Sequence, residues 1–231
     1  MMKLENLKEL FNLNEKQTKQ LDTYANFLIE YNSKVNLTAI DTYDEIIEKH
    51  FYDSLLPLTH KDIKGSLVDV GTGAGFPGVV IKIVRPDIHV ILLEPINKRC
   101  VFLNELINKL ELKDIEVLNV RGEDYSIKNR EKYDYVTARA VTNMNALIEI
   151  CGALVKEDGY FIALRGKDGE KELEEAKLAI EKMGFINEDQ YIDKLSDGSI
   201  RLCSFLKKTK KTPKSFPRKY SIIKHDPLWK K

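Results

Sequence analysis

A glycine-rich segment at residues 68–78 constrains this chain more than any other feature. It reads V-D-V-G-T-G-A-G-F-P-G and continues a short apolar run that predicts a β-strand. Glycine is needed where the backbone turns sharply and where a ligand must approach main-chain N–H groups closely. We therefore expect a nucleotide-type cofactor loop at the carboxyl end of the first strand of an α/β sheet; the alternative is a purely structural turn.

The residues that follow this loop alternate between apolar runs and amphipathic stretches, the pattern of strand–helix units around a parallel sheet. Strands are predicted at residues 67–70, 89–94, 115–120, 133–138 and 160–164. Helices are predicted near residues 77–84, 98–110, 144–154 and 169–183. Two further strands, 185–195 and 200–206, flank the turn signal S-D-G-S and predict a hairpin. The predicted fold is α/β, a mostly parallel seven-stranded sheet ending in an antiparallel hairpin.

Both ends of the chain differ from this pattern. Helical periodicity predicts helices at residues 4–13, 15–32 and 43–56, with Asn14 and Gln17 as a capping box and Pro57 as the end of the third. Residues 1–64 are therefore interpreted as a helical cap, 65–207 as the α/β domain and 208–231 as an extended basic tail, all in one compact unit.

Charge is concentrated in that tail. From Lys207 onward there are ten Lys or Arg residues and one acid, whereas the preceding residues carry 27 basic and 35 acidic side chains. A basic segment on an acidic body suits nucleic acid, because neutralising phosphates releases counterions; a solubilising terminus is the alternative. The three cysteines are widely spaced and are read as core residues, and no metal site is predicted. No apolar run is long enough to span a membrane, so we expect a cytoplasmic protein.

The glycine loop itself distinguishes between cofactors. A dinucleotide loop, G-x-G-x-x-G, would begin at Gly71 and Gly73 but would require glycine at position 76, which is Phe76. That glycine allows the pyrophosphate to approach, so a cofactor without pyrophosphate, such as S-adenosylmethionine, fits better. A nicotinamide-dependent oxidoreductase is the competing enzyme, and a ribosome-associated RNA-binding protein without turnover is the non-enzymatic alternative.

Polar residues at the predicted strand ends supply further candidates. Glu94 ends the second strand, where a carboxylate accepts hydrogen bonds from both ribose hydroxyls. After the third strand, Gly122 and Glu123 are candidates for contacts to adenine, although a solvated acidic turn explains them equally well. Arg139 ends the fourth strand, where it is a candidate for a cofactor carboxylate, an RNA phosphate or a positioning role.

Several longer motifs give a more specific resemblance. They are Y-N-S-K-V-N-L-T-A-I at 31–40, K-H-F-Y-D-S-L at 49–55, the glycine loop, N-K-R at 97–99, R-G-E at 121–123, V-T-A-R-A-V at 136–141 and T-P-K-S-F-P-R-K at 212–219. In order and spacing, over essentially the whole chain, they resemble the RsmG (GidB) family. The resemblance implies a Rossmann-like methyltransferase fold, S-adenosylmethionine as methyl donor, and N7 of a guanine in the 530 loop of 16S rRNA as acceptor.

The resemblance also implies cofactor contacts at Gly71, Phe76, Gly122, Glu123 and Arg139. Gly122 stands where the family usually has alanine, a change without effect if only the backbone contacts adenine. Arg165 replaces a common lysine, and the tail after Arg218 lacks the glycine and proline often found there.

Guanine N7 carries a lone pair and no proton, so its methylation needs no general base, and we assign no catalytic residue. Orientation can supply about 7 to 11 kcal/mol of the barrier in favourable cases. The cysteine context for methylating pyrimidine carbon 5 and the N-P-P-Y-like motif for exocyclic amines are both absent. We expect a monomer that binds 16S rRNA or the small ribosomal subunit. The RNA-binding candidates are Arg121, Arg165, Lys167, Lys214, Arg218 and Lys219.

Overall fold

The computed structural model of the protein describes residues 1–139 and 142–228. The last two residues of the V-T-A-R-A-V motif and the last three of the basic tail lie outside this description. Its centre is a seven-stranded sheet in the order β3-β2-β1-β4-β5-β7-β6, with β7 antiparallel to both of its neighbours. The predicted fold class is confirmed. The strands are β1 Ser66–Val70, β2 His89–Leu93, β3 Ile115–Leu118, β4 Tyr133–Arg139, β5 Val155–Arg165, β6 Phe185–Lys194 and β7 Ile200–Lys208.

Helices cover both faces of this sheet. They are α1 Leu4–Leu10, α2 Glu15–Asn32, α3 Tyr43–Glu45, a π-helix Ile46–Tyr52, α4 Asp53–His60, α5 Gly78–Val84, α6 Asn97–Lys109, α7 Gly122–Lys128, α8 Met144–Gly152, α9 Gly169–Glu175, α10 Lys177–Lys182 and α11 Tyr220–His225. The helix predicted at residues 169–183 is divided in two at Ala176. Within residues 1–139 and 142–228, no helix is both long and apolar enough to cross a bilayer.

The N-terminal helices agree with the sequence prediction at their starts and differ at two ends: α1 stops at Leu10 instead of residue 13, and the third helix continues past residue 56. Asn14 and Gln17 form the expected reciprocal capping box, which fixes the start of α2. The prediction that Pro57 ends the third helix is wrong, because α4 continues through it to His60. The π-helix just before α4 bonds its backbone in a different register, and a proline can bend a helix without ending it.

The core has one apolar layer on each face of the sheet. Alternation along β1 sends Leu67 to one layer and Val68 and Val70 to the other. The first layer also contains Leu21, Tyr24, Leu28 and Phe51 of the N-terminal helices, so these helices share a core with the sheet. The three cysteines are buried, as predicted.

The chain after β7 packs against the body, and it contains a helix that its sequence pattern did not indicate. In α11, Ile223 is fully buried. Upstream, the Arg130 guanidinium donates hydrogen bonds to the carbonyl oxygens of Thr212, Pro213 and Phe216. The prediction of a tail without helix is therefore corrected. Its sequence hid the helix because α11 is short and has a single buried apolar contact point.

Candidate functional site

The glycine loop between β1 and α5 is shaped partly by the N-terminal helices. The Tyr24 hydroxyl donates a hydrogen bond to the Ala74 carbonyl, and its ring stacks on Phe76 with centroids 5.4 Å apart. Gly75 has φ +103°, and a Cβ there would lie 2.6 Å from the Tyr24 hydroxyl, so no larger residue fits. Gly73, with φ +63°, faces open space instead. The loop is held closely on one side and free to meet a ligand on the other.

Asp69, the second-last residue of β1, holds this loop from below. Its Oδ2 accepts hydrogen bonds from the Thr72 hydroxyl (2.6 Å) and the Gly78 N–H (2.8 Å). The side chain is fully buried, and burial raises its pKa to about 6 against the opposing effect of these two bonds. Asp69 therefore positions the loop and was not foreseen, although an acid within an apolar strand was a visible signal.

Glu94 lies just beyond β2 beside the glycine loop and is 1% exposed. Its two carboxylate oxygens accept hydrogen bonds from the Gly73 N–H (3.0 Å) and the Ile96 N–H (2.8 Å). Arg99 approaches the same carboxylate at 3.7 Å, while its Nε is buried without a hydrogen-bond partner in the described part of the chain. The Glu94 carboxylate is thus fixed in orientation, and each oxygen retains a lone pair for a further donor.

Gly122 and Glu123 begin helix α7; neither a loop nor a solvated turn is found here. Both are buried; Glu123 Oε1 has no hydrogen-bond partner among the described residues, and the Arg121 guanidinium lies 3.9 Å from it. A Cβ on Gly122 would lie 2.6 Å from Cγ1 of Val70 and 3.0 Å from Cγ2 of Ile150. Alanine at this position therefore cannot be accommodated without movement of packed side chains, so the glycine matters for packing as well as for its backbone.

These residues surround one cleft of about 240 Å³, which we call the glycine-loop cleft. It is lined by Val70, Gly71, Glu94, Pro95, Ile96, Arg99, Arg121, Gly122, Glu123, Thr142, Leu147, Ile150 and Tyr220. Buried polar atoms normally have partners, so Glu123 Oε1 and Arg99 Nε are available for a polar ligand. The apolar walls, fixed carboxylate and spare acceptor suit an adenosine, whose ring is flat and whose ribose and amine donate hydrogen bonds.

Arg139 at the end of β4 is bound to the helical cap. Its guanidinium donates to Asp53 Oδ2 (2.9 Å), to His50 Nδ1 (3.1 Å) and to the carbonyl of Lys49 (3.3 Å). It also lies over the Phe76 ring, which stacks on His50 with centroids 4.3 Å apart. Phe76 is thereby placed between the cap and the glycine loop.

His50 must be neutral in this arrangement. Its Nδ1 accepts from Arg139, so Nε2 carries the proton and faces the Thr38 hydroxyl at 2.9 Å. Burial, followed by the nearby charge of Arg139, lowers the pKa of His50 to about 3. Positive charge at this point is therefore carried by the arginine alone.

A second cleft, of about 340 Å³, lies on the other side of Arg139, and we call it the arginine cleft. It is lined by Lys49, His50, Asp53, Leu56, Arg139, Leu164, Arg165, Gly166, Glu172, Arg201, Leu202 and Cys203. Arg201 donates through Nε to Asp53 Oδ1 at 2.8 Å, so Asp53 bridges two arginines. Arg165 donates to Glu172 Oε2 and to the carbonyl of Thr142 (2.7 Å), and its side chain is 8% exposed.

The predicted RNA-binding residues fall into two groups. Arg121, Lys167, Lys214 and Lys219 are exposed. By contrast, Arg165 is held by Glu172, and Arg218 is held by the fully buried Glu149 through bonds of 2.8–2.9 Å from its N–H, Nε and terminal nitrogen. These two arginines, both candidates for RNA binding from the sequence, thus bind carboxylates within the protein.

Several residues of these clefts were not assigned from sequence. Asp53, His50 and Arg99 lie inside motifs that carry the family resemblance, but the motifs gave no role to these three side chains. Glu172, Arg201 and Tyr220 gave no local signal, because only the tertiary fold brings α9, β7 and α11 to the two clefts.

Comparison with known proteins agrees with the motifs. The model of the GidB family, rRNA small subunit methyltransferase G, matches residues 17–211. The ribosomal RNA small subunit methyltransferase G of Lachnoclostridium phytofermentans is 46% identical over 89% of this chain and 87% of its own length. That of Desulforamulus reducens is 45% identical over 94% and 93%, and that of Lysinibacillus sphaericus 40% over 94% and 93%.

Solved methyltransferase structures share the fold. TYW2 of M. jannaschii, solved in complex with AdoMet, superposes with a TM-score of 0.57 at 15% identity and covers 74% of this chain and 79% of that one. A SAM-dependent methyltransferase of Aquifex aeolicus gives 0.51 at 19% identity, covering 70% and 93%. At such identities the likeness establishes the fold alone. Together with the family match, it confirms the resemblance inferred from the sequence motifs: the chain belongs to the rRNA small subunit methyltransferase G family.

Proposed function

We propose that this protein transfers a methyl group from S-adenosylmethionine to N7 of a guanine in the 530 loop of 16S rRNA. The observation that carries the proposal is the glycine-loop cleft, where Glu94 and Glu123 present carboxylate oxygens beside a turn that leaves Gly73 open. Family membership supports methyl transfer to small-subunit rRNA; the choice of N7 and of the 530 loop follows from the motif resemblance. We place this activity in the cytoplasm, with the protein acting as a monomer.

We propose the following cofactor contacts, which the geometry of that cleft supports. Glu94 accepts hydrogen bonds from the ribose hydroxyls, and the backbone of Gly71 and Gly73 lies beside the amino-acid portion. Glu123 Oε1 accepts from the adenine amine, while the Gly122 N–H meets a ring nitrogen. Phe76 and Arg139 act from behind the loop, since both are packed against the cap.

Methyl transfer to guanine N7 needs no acid, base or nucleophile from the side chains. The bound cofactor supplies an electrophilic methyl group on a sulfonium. Because guanine N7 has a free lone pair and no proton, the protein needs to align donor and acceptor and to exclude water, and no base is required. The thiols are unsuited to covalent catalysis here, since burial raises the pKa of Cys151 and Cys203.

RNA is contacted by the exposed cations. Arg121 borders the glycine-loop cleft and lies over the ring of Tyr220, while Lys167, Lys214 and Lys219 are further exposed cations. Such contacts give a salt-dependent affinity that is largely independent of sequence. A structural role replaces RNA contact for Arg165 and Arg218, because each binds a carboxylate inside the protein.

One experiment tests the methyl donor, the acceptor base and the methylated atom together. The protein is incubated with methyl-labelled S-adenosylmethionine and unmodified 16S rRNA or small subunits, and the product is cleaved by strand scission selective for N7-methylguanine. One cut in the 530 loop supports the proposal. Cofactor binding without any cut would leave the fold assignment standing and would overturn the acceptor assignment.

A further inference from the structure

We infer that the arginine cleft receives the acceptor guanine, with Glu172 accepting from its N1–H and 2-amino group and Arg201 donating to its O6. This inference rests on the proposed function and adds the site and the groups that select guanine. The cleft is assigned from its position, from polar atoms that make no hydrogen bond within the described residues and from its walls, which are independent of one another.

The two clefts are neighbours at the carboxyl edge of the sheet, where ligands of open α/β folds bind. The glycine-loop cleft lies beyond β1 and β2, and the arginine cleft lies beyond β4 and β5. Arg165 lines the arginine cleft and donates 2.7 Å to the carbonyl of Thr142, which lines the other. A base in the arginine cleft would therefore lie next to a methyl donor held over the glycine loop.

The polar atoms of the arginine cleft match the edges of guanine. Arg201 uses Nε for Asp53 and one terminal nitrogen for the carbonyl of Ile200 at 3.0 Å. Its other terminal nitrogen makes no hydrogen bond to residues 1–139 and 142–228. Glu172 receives both Arg165 bonds on Oε2, and Oε1 has no hydrogen bond within the same residues. One free donor and one free acceptor thus face a base that has an acceptor at O6 and donors at N1 and N2.

This pairing leaves N7 free for the reaction. In duplex readout an arginine binds O6 and N7 together, which would block the reacting atom. Here Arg201 has a single free terminal nitrogen, enough for O6 alone. Leu56, Leu164 and Leu202 supply apolar walls against which an unstacked base can lie. The cleft volume of about 340 Å³ is within the range of roughly 300 to 1,000 Å³ that holds small ligands.

The experiment compares guanine with inosine, which lacks only the 2-amino group, at the target position of 16S rRNA in small subunits. Methyl transfer is measured at saturating S-adenosylmethionine for the wild type, Glu172→Gln and Arg201→Ala. We expect the wild type to prefer guanine by about 10- to 100-fold in kcat/KM, the effect of one hydrogen bond to a charged group. Glu172→Gln should lose most of this preference, because its amide presents an N–H toward guanine N1–H while keeping an acceptor for Arg165.

Controls separate guanine recognition from other effects. Cofactor affinity, measured by calorimetry, should be unchanged in both variants, and Arg201→Lys should recover part of the lost rate if a donor is what matters. Arg85→Ala, which removes an arginine paired with Asp62 and Asp87 far from the cleft, should behave as wild type. A wild type that forms no N7-methylguanine in any RNA overturns the proposed function. Equal rates on guanine and inosine, or equal losses on both in the variants as for a bound phosphate, overturn only this inference.

Discussion

Arg139 at the end of β4 donates a 2.9 Å hydrogen bond to Asp53, the first residue of α4, and this bond joins the sheet to the helical cap. Asp53 also receives Arg201 from β7 at 2.8 Å. Its side chain is 9% exposed and those of the two arginines 16% and 23%, so the group is largely shielded from water. One carboxylate therefore holds two strands and the cap in a fixed relation.

Replacing that carboxylate should destabilise the fold. Asp53→Ala leaves two partly buried guanidinium groups without a counter-charge, and we expect a loss on the order of 3 kcal/mol in the free energy of unfolding. Urea denaturation measures it. The matched control is Glu30→Ala, which removes an exposed pair with Lys34 and should cost under about 0.5 kcal/mol. Equal effects for both variants would contradict the structural role given to Asp53.

Glu94→Ala should weaken S-adenosylmethionine binding by roughly 1.5 to 3 kcal/mol, about 10- to 100-fold, because charge-assisted hydrogen bonds to the ribose are lost. Titration calorimetry checks this. Glu116→Ala, half-exposed on the neighbouring strand β3, provides a comparison of the same chemistry outside the cleft and should bind normally. Unchanged affinity in Glu94→Ala would remove that residue from the cofactor site.

Gly122→Ala introduces the residue that the motif resemblance implies at this position. The added methyl group would meet Val70 and Ile150 at 2.6 and 3.0 Å, so we expect overpacking to cost about 1 to 3 kcal/mol of stability. Cofactor affinity should fall too, since both contacted side chains line the glycine-loop cleft. The double variant Gly122→Ala/Val70→Ala, which makes room for the methyl, should recover part of the loss. Wild-type stability in the single variant would show that the side chains of Val70 and Ile150 move aside at little cost.

His50 gives the fold a specific pH dependence. The pKa of His50 is about 3 in the folded protein, compared with an ordinary value of 6.5. Between pH 6.5 and 3, therefore, mainly the unfolded chain takes up this proton. This contribution to stability is fully present well above pH 6.5 and falls toward pH 3, by about 1.6 kcal/mol between pH 6.5 and 5. His50→Gln should remove this part of the slope in urea melts at several pH values.

The contribution of His50 must be read as the difference between the pH profiles of the variant and the wild type, because the titration of Asp69 changes stability in the opposite direction. Burial raises its pKa to about 6 from 3.8, so the folded state takes up that proton first and gains stability as pH falls through 6. An unaltered pH profile in His50→Gln would mean that the histidine is not held neutral.

The sequence predicted the architecture well because its signals were local. Strand–helix alternation, the S-D-G-S turn and the Asn14–Gln17 capping box each depend on a few neighbouring residues, and each is present in the structure. Helix α7 was missed because it begins with a glycine and spans only seven residues. The predicted helix end at Pro57 was wrong because a proline's effect depends on the backbone register before it.

Of the two clefts, only the glycine-loop cleft could be predicted from the sequence. Gly71, Gly73, Glu94, Gly122 and Glu123 line or border one cleft as a parallel sheet requires, since they follow neighbouring strands. Charge in the sequence carried less information, because a cation's availability depends on its partner: the partners of Arg165 and Arg218 lie 7 and 69 residues away. No pattern along the chain reveals an ion pair between residues as far apart in sequence as Arg218 and its partner.

The π-helix at Ile46–Tyr52 makes this site sensitive to the count of residues as well as to their kind. An α-helix has 3.6 residues per turn, so one residue added or removed rotates everything on one side of the change by about 100°. His50 and Asp53 would then no longer both face Arg139. In evolutionary terms, this segment can exchange side chains but should not tolerate insertions or deletions, and an alignment gap there would mark a protein that has lost the junction between cap and sheet.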